Sequence, residues 1–302
     1  MASIAVLGPG GVGGFVAAAL ARAREDVVLV AREPAATALT LTGVSVRSAA
    51  LGNFVAHPGV VSELTEPADV LLVATKATAL PAALDRIHTE PGLVVPLLNG
   101  VEHVGVLRER FGSDRVVAGV IRVESDRPRA GEIVQTSPAC RIDIAGTRPE
   151  VMALAQSLEQ AGLAVRTGDS EPNVMWSKLM RLCPLALTTS ASDRPLGFVR
   201  SDPRWRSALD NAVAETARVA AAEGAALHLA ATIAELESAH AELGSSMQRD
   251  IAAGREPELD AIAGAVLRAG RRHGLRCPTI EWLAGRVAQR AEIPARRAPR
   301  NV

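Results

Sequence analysis

Six residues near the start of the chain, Gly8-Pro9-Gly10-Gly11-Val12-Gly13, constrain its fold more than any other feature. They lie between the apolar run Ser3-Ile4-Ala5-Val6-Leu7 and an alanine-rich stretch, 15–24, and so have the strand-turn-helix setting that such glycines need. In that setting the first glycine permits a tight turn, the second lets the backbone approach a pyrophosphate, and the third lets helix and strand pack closely. The helix N-terminus then presents its free N–H groups to the phosphates. Gly8, Gly10, Gly11, Val12 and Gly13 are therefore read as a dinucleotide site, the plainer alternative being an unrelated tight turn in an α/β protein. A second apolar run, Val27-Val28-Leu29-Val30, ends in Ala31-Arg32. NAD-specific sites usually carry an acid there for the ribose 2′-hydroxyl, whereas an arginine suits a 2′-phosphate, so the reading is NADP. A solvated loop cation beside Glu33 is the alternative for Arg32.

With 302 residues and 48% hydrophobic composition, the chain has room for two domains, each with its own core. Its 33 basic residues balance 33 acidic ones, so charge recommends neither nucleic acid nor a membrane surface as partner. Cys140, Cys183 and Cys277 are odd in number and far apart, without the spacing of a zinc site or a disulfide framework. A reducing cytoplasm fits them, and no basic leader or membrane-length apolar stretch argues otherwise. Tyrosine is absent, which excludes any mechanism that needs a tyrosine acid, the Tyr-Lys short-chain reductases among them.

The first half alternates β-branched runs with helical stretches, predicting strands near 3–7, 27–31, 70–74, 93–98 and 116–121 in a parallel, doubly wound sheet of Rossmann type. The alternation around Val44-Ser45-Val46-Arg47 reads as an edge strand or an excursion, while 132–135 and 141–144 read as antiparallel strands closing the sheet. Thr147-Arg148-Pro149-Glu150 reads as a capping box. From about 167 the pattern turns helical, giving a nucleotide-binding domain over 1–166 and an all-α substrate and catalytic domain over 167–302. Helices are predicted near 172–190, 203–223, 230–253, 257–273 and 279–290, with Gly224 and Gly274 as C-terminal caps and Pro257 as a first helical residue. The arginine- and proline-bearing tail, 293–302, reads as a disordered terminus.

Ligands of open parallel sheets bind at the carboxyl ends of the strands, which draws attention to Lys76 after the third run and Asn99 after the fourth. The lysine can meet a phosphate or a carboxylate, and the asparagine a carboxamide or a carbonyl. A helix-flanking lysine and an ordinary Asn-Gly turn are their plainer counterparts. Lys178 shares a helical stripe with Met175, Leu182 and Ala186, a placement in which desolvation makes an ammonium a readier proton donor, unless the side chain snorkels from the stripe's edge. Ser246 and Glu258 supply further polar groups, although a carboxylate in a helix's first turn is also what the macrodipole favours.

The glycine fingerprint, Thr75-Lys76, Asn99-Gly100, Trp176-Ser177-Lys178-Leu179, the run Ser245-Ser246-Met247-Gln248-Arg249-Asp250 and the segment 254–260 occur in one order. Together, over almost the whole chain, they resemble the ketopantoate reductase (2-dehydropantoate 2-reductase) family. The resemblance implies a Rossmann domain followed by an all-helical one, with the active site between them, and NADPH-dependent reduction of 2-dehydropantoate to pantoate in pantothenate biosynthesis. By the same resemblance Lys178 is the catalytic lysine that protonates the carbonyl oxygen. Glu258, a catalytic and substrate-binding residue by the same resemblance, holds the substrate hydroxyl, and Ser246 its carboxylate side. Lys76 and Asn99 line the cofactor and substrate cleft, and Arg32 reads the 2′-phosphate. No metal is implied, and a homodimer stays open. The family usually places asparagines one and two turns beyond its lysine, where this chain has Leu182 and Ala186. A related reductase of a more apolar 2-oxo acid, and a non-catalytic NADP-binding sensor, are therefore carried as alternatives.

Overall fold

The computed structural model describes residues 2–292, and the predicted tail lies outside them. The chain divides between Met175 and Trp176 into two compact units. The first contains β1 (Ser3–Leu7), α1 (Gly11–Arg22), β2 (Asp26–Val30), α2 (Ala35–Thr42), β3 (Val44–Ser48), β4 (Gly52–Ala56), β5 (Gly59–Val61) and β6 (Val70–Val73). It continues with α3 (Leu80–Leu84), β7 (Leu93–Pro96), α4 (His103–Phe111), β8 (Gly119–Arg122), β9 (Ser125–Arg129), β10 (Glu132–Gln135), β11 (Arg141–Ala145), α5 (Pro149–Gln160) and β12 (Ala164–Asp169). Helix α6 (Glu171–Ser192) spans the boundary, and α7 (Leu196–Ser201), α8 (Pro203–Ala222), α9 (Leu229–Ser238), α10 (Ser246–Ala252), α11 (Ala265–Arg272) and α12 (Pro278–Arg290) follow.

Five strands form a wholly parallel sheet in the order β5-β2-β1-β6-β7. Alternate side chains enter two separate cores. Ile4, Val6, Leu29 and Leu72 meet Phe15, Val16 and Ala19 of α1, while Leu7, Val30, Leu71 and Val73 meet Leu80 and Leu84 of α3 and Leu107 and Phe111 of α4. Helices on both faces explain why these strands read as near-continuous apolar runs. This is the predicted doubly wound α/β architecture, and the second unit, whose described elements are all helices, is the predicted all-α region.

Strand pairing corrects the sequence reading in three places. The run 116–121 does not join the parallel sheet beyond a single bridge between Val116 and Val94. Val94 N donates to Arg115 O (2.8 Å), but two residues on Pro96 has no N–H to offer the same side, so the ladder stops. The strands at 132–135 and 141–145 do not close the parallel sheet either. β10 lies in a four-stranded sheet, β4-β3-β10-β9, antiparallel to β9 and parallel to β3, and β11 lies in a three-stranded sheet, β12-β11-β8. The segment after α2 is accordingly an excursion, a hairpin of β3 and β4.

Helix boundaries also differ from expectation. The cap of α5 is Arg148 and no side chain closes it, because Pro149 suits the first helical position and pushes Thr147 outside the helix. The expected helix over 230–253 is two helices, since Ser245 caps α10 by accepting Gln248 N at 3.1 Å. Pro257 and Glu258 precede their helix, whose first turn is a π segment (Asp260–Gly264), so Glu258 is not in the first turn. Gly224 and Gly274 do follow α8 and α11 with positive φ, as C-terminal caps require. The boundary between units falls after Met175, beyond the predicted 166, because Val174 and Met175 at the start of α6 pack into the core of the first unit.

Cys140, Cys183 and Cys277 are all free and buried. Burial pushes the Cys140 and Cys183 thiols up to about 12 and raises Cys277 as well. At neutral pH they are protonated, so none is a nucleophile. No helix among the described residues is long and apolar enough to cross a membrane.

Candidate active site

From β1 the chain winds through β2 to β5 on one side, then returns to begin β6 and β7 on the other, so the winding reverses between β1 and β6. Ligands of open α/β sheets bind at the carboxyl end of such a reversal. Gly8–Gly13 leaves β1 there and Ala74-Thr75-Lys76 leaves β6, with Gly8 N donating to Val30 O (3.1 Å) and Ala74 N to Leu7 O (2.9 Å). Two glycines in the loop have opposite reasons to be glycine. A Cβ on Gly13 would lie 2.0 Å from Gly8 O, so the fold itself requires that residue. A Cβ on Gly10 would meet only Ala74 O at 3.9 Å among the described residues, and the Gly10 φ of −74° suits any residue. The protein leaves that space open, and a ligand can reach the backbone through it. The helical ladder opens with Gly14 N donating to Gly10 O (2.8 Å), so the N–H groups of Gly11, Val12 and Gly13 lie ahead of it.

The other candidates of this unit follow neighbouring strands at the same sheet end. Arg32 is exposed one residue beyond Ala31, and its carbonyl accepts Ala36 N at 3.1 Å. Lys76 is exposed at the head of a single 3₁₀ turn (Ala77–Ala79), and Asn99 is half-buried before Gly100, whose φ is +86°. The carboxyl end of one sheet thus gathers the glycine loop, a guanidinium, an ammonium and an amide.

In the second unit Lys178 is half-buried on α6, on a stripe with half-buried Leu182 and fully buried Ala186. Ser246 is the exposed first residue of α10. Its neighbour Ser245 is buried and takes a hydrogen bond from Thr189 Oγ1 at 3.0 Å, so Ser246 projects from an anchored helix end. Glu258, 9% exposed, uses its carbonyl to accept Ile262 N at 3.1 Å. Between α10 and Glu258 the loop is closed by Arg255, whose N donates to Asp250 O and whose Nε donates to Asp250 Oδ1, each at 2.8 Å. Asp250 is buried, and a charge-assisted bond of this type holds a buried carboxylate well. Arg255 escaped the sequence reading, although an Asp and an Arg flanking a Gly in a helix-loop step were its visible sign.

A glycine-lined helix end at the reversal point of a parallel sheet, followed by a helical unit carrying a lysine, a serine and a glutamate, defines a two-unit protein of the Rossmann-type dehydrogenase class. Residues 4–145 match the family described as Ketopantoate reductase PanE/ApbA, and residues 173–291 match Ketopantoate reductase PanE/ApbA C terminal. A 2-dehydropantoate 2-reductase of Caulobacter vibrioides is 30% identical, covering 92% of this chain and 95% of that protein. The crystal structure of 2-dehydropantoate 2-reductase from Geobacter metallireducens superimposes with a TM-score of 0.87 at 27% identity, covering 95% of this chain and 99% of its own. A D-mandelate dehydrogenase solved with NADH and anilino(oxo)acetate shares the fold with a TM-score of 0.86 at 21% identity, over 96% of this chain and 98% of that one. The chain belongs to the ketopantoate reductase family of oxidoreductases.

Proposed function

We propose that the chain reduces a 2-oxo acid to the 2-hydroxy acid with NADPH, its default substrate being 2-dehydropantoate and its product pantoate. The observation that carries the reading is Gly10: the fold does not need a glycine there, while a pyrophosphate seated on the end of α1 does. The N–H groups of Gly11, Val12 and Gly13 would hold the pyrophosphate, Arg32 the 2′-phosphate, and Lys76 and Asn99 the remaining polar edges. The chemistry a bound nicotinamide supplies is a hydride for the carbonyl carbon. Lys178 donates its proton to the carbonyl oxygen, so that the developing alkoxide is quenched beside a cation. Ser246 and Asn99 orient the acid, and Glu258 accepts the hydrogen bond of the substrate's hydroxyl. Three buried, protonated thiols suit a reducing cytoplasm. The test is NADPH oxidation by the purified protein across a panel of 2-oxo acids. A non-catalytic NADP-binding sensor is what remains if none of them is reduced.

Cofactor choice rests on Arg32, because the same fold accepts NADH in the D-mandelate dehydrogenase. Loss of a charge-assisted contact to a 2′-phosphate costs about 1.5–3 kcal/mol, so Arg32→Ala is expected to weaken NADPH by about 10- to 100-fold while leaving NADH unchanged. Titration of both cofactors measures this, and equal affinities in the parent protein would sink it.

A second reading, reduction of a more apolar 2-oxo acid, is favoured by Leu182 and Ala186, which make the stripe around Lys178 apolar. The fold also houses anilino(oxo)acetate in the D-mandelate dehydrogenase. Each unmade hydrogen bond to a polar substrate group costs about 1–3 kcal/mol, so the kcat/KM ratio of ketopantoate to 2-oxo acids with large apolar chains is expected to be low. It should rise in Leu182→Asn/Ala186→Asn. If the parent already reduces ketopantoate efficiently and the double variant gains nothing, the default substrate stands.

A further inference from the structure

Strand β9 reaches the glycine loop from 114 positions away in sequence, and Ser125 makes the contact: its Oγ donates to Gly11 O at 2.8 Å. The approach is main chain on main chain. A Cβ on Gly11 would lie 2.6 Å from Ser125 O and 3.0 Å from Asp126 Cα, so this glycine exists to admit β9. We infer that Ser125 is a positioning residue for the dinucleotide, acting through the Gly11–Val12 peptide. The peptide group is planar and trans, so the Gly11 carbonyl and the Val12 N–H point in fixed, opposite directions. A hydrogen bond that pins the oxygen therefore aims the N–H, which is one of the three donors ahead of the α1 ladder. Accepting that bond also polarises the amide and makes Val12 N–H a stronger donor to an anion.

Ser125 is itself held in place. Its pairing partner on β10 is Gln135, which is 2% exposed. The Gln135 amide accepts Ser48 Oγ (2.6 Å) and Ala50 N (3.2 Å), and it donates to Ser137 Oγ (2.7 Å) and to Ser137 O. Ser137 Oγ in turn accepts Glu124 N (3.1 Å), and Glu124 O accepts Thr136 N (2.9 Å), fixing the residue before Ser125 on both its backbone groups. A bonded network centred on a buried amide in this way favours one geometry. The sheet that stands outside the parallel one thus serves as the mount for the first turn of α1.

The inference rests on the dinucleotide reading above, and the pyrophosphate is common to both cofactors. Ser125→Ala is therefore expected to weaken NADPH and NADH by the same factor, about 3- to 10-fold for one neutral hydrogen bond, leaving their ratio at the parent value. At saturating cofactor, kcat and the KM for the 2-oxo acid stay within about twofold, since the Gly11–Val12 peptide does not touch the reacting atoms. Isothermal titration gives the two dissociation constants, and the thermal midpoint separates binding from folding. A variant that loses thermal stability but binds both cofactors as the parent does overturns the positioning role and leaves the dinucleotide reading intact. A change in the NADPH to NADH ratio also overturns it, because the effect would then lie at the 2′-phosphate. A parent protein that binds neither dinucleotide overturns both readings together.

Discussion

Lys178→Met is expected to lower kcat by about 10²- to 10⁴-fold, the usual contribution of a positioned general acid. Methionine keeps the unbranched bulk of the lysine stem on the α6 stripe and removes only the proton and the charge. Reducing the carbonyl without a proton donor leaves alkoxide charge to be carried by water or by weaker donors. The defect should therefore appear in kcat and kcat/KM alike, with NADPH affinity close to the parent value, the signature of an interaction made in the transition state. Steady-state kinetics and cofactor titration on the folded variant read both quantities. A turnover number near the parent's would reduce Lys178 to a lysine that keeps its head in water and its stem on the helix.

The contrast between Gly10 and Gly13 should be equally large and of opposite kind. Gly10→Val places its Cβ in space the protein leaves open, so the thermal midpoint is expected to stay near the parent's. The same side chain stands where the proposed pyrophosphate would approach the backbone. Losing two charge-assisted N–H bonds at about 1.5 kcal/mol or more each removes at least about 100-fold in dinucleotide affinity. Gly13→Ala instead drives a methyl to 2.0 Å from Gly8 O, a backbone atom that cannot swing aside as a side chain would. The cost should exceed the about 1–3 kcal/mol typical of overpacking, and at the upper end of that range the midpoint falls by about 6–12 °C. Calorimetry together with cofactor titration separates the two cases. A stable, tightly binding Gly10→Val protein would remove the main support for a pyrophosphate at α1.

What could be read from the sequence follows the range over which each constraint acts. The β1-α1-β2 unit was legible because the glycine spacing, the apolar runs and the turn all lie within 30 residues. Five parallel strands were only partly foreseen: β5 has three residues, too few to show a period, and 116–121 looks like a strand whose partner, through Pro96, cannot complete the ladder. β12 was missed because its residues are largely exposed and carry no apolar alternation. Assignment of β10 and β11 to sheets of their own depends on pairing with β3, β9, β8 and β12, which no local pattern encodes. The same division holds at the site. Gly8, Gly10, Gly13, Arg32, Lys76 and Asn99 announce themselves by what precedes them, each following a strand. Arg255 meets Asp250 across a single helix-loop step, whereas Ser125 meets Gly11 from 114 positions away, a contact that only the folded chain shows. The Ser245-to-Gln248 cap was visible as a serine three residues before a glutamine, and reading it would have split the 230–253 helix correctly.

The three buried thiols make this protein a ready platform for site-directed labelling. Because Cys140, Cys183 and Cys277 are shielded and protonated, a thiol-reactive chromophore such as Ellman's reagent should stay colourless with the native chain and report three equivalents once denaturant opens it. A single cysteine engineered at an exposed position, Arg47 or Asp210 for example, would then be the one fast-reacting handle. Fluorophores or spin labels could be placed one at a time, without first stripping the chain of its own sulfur.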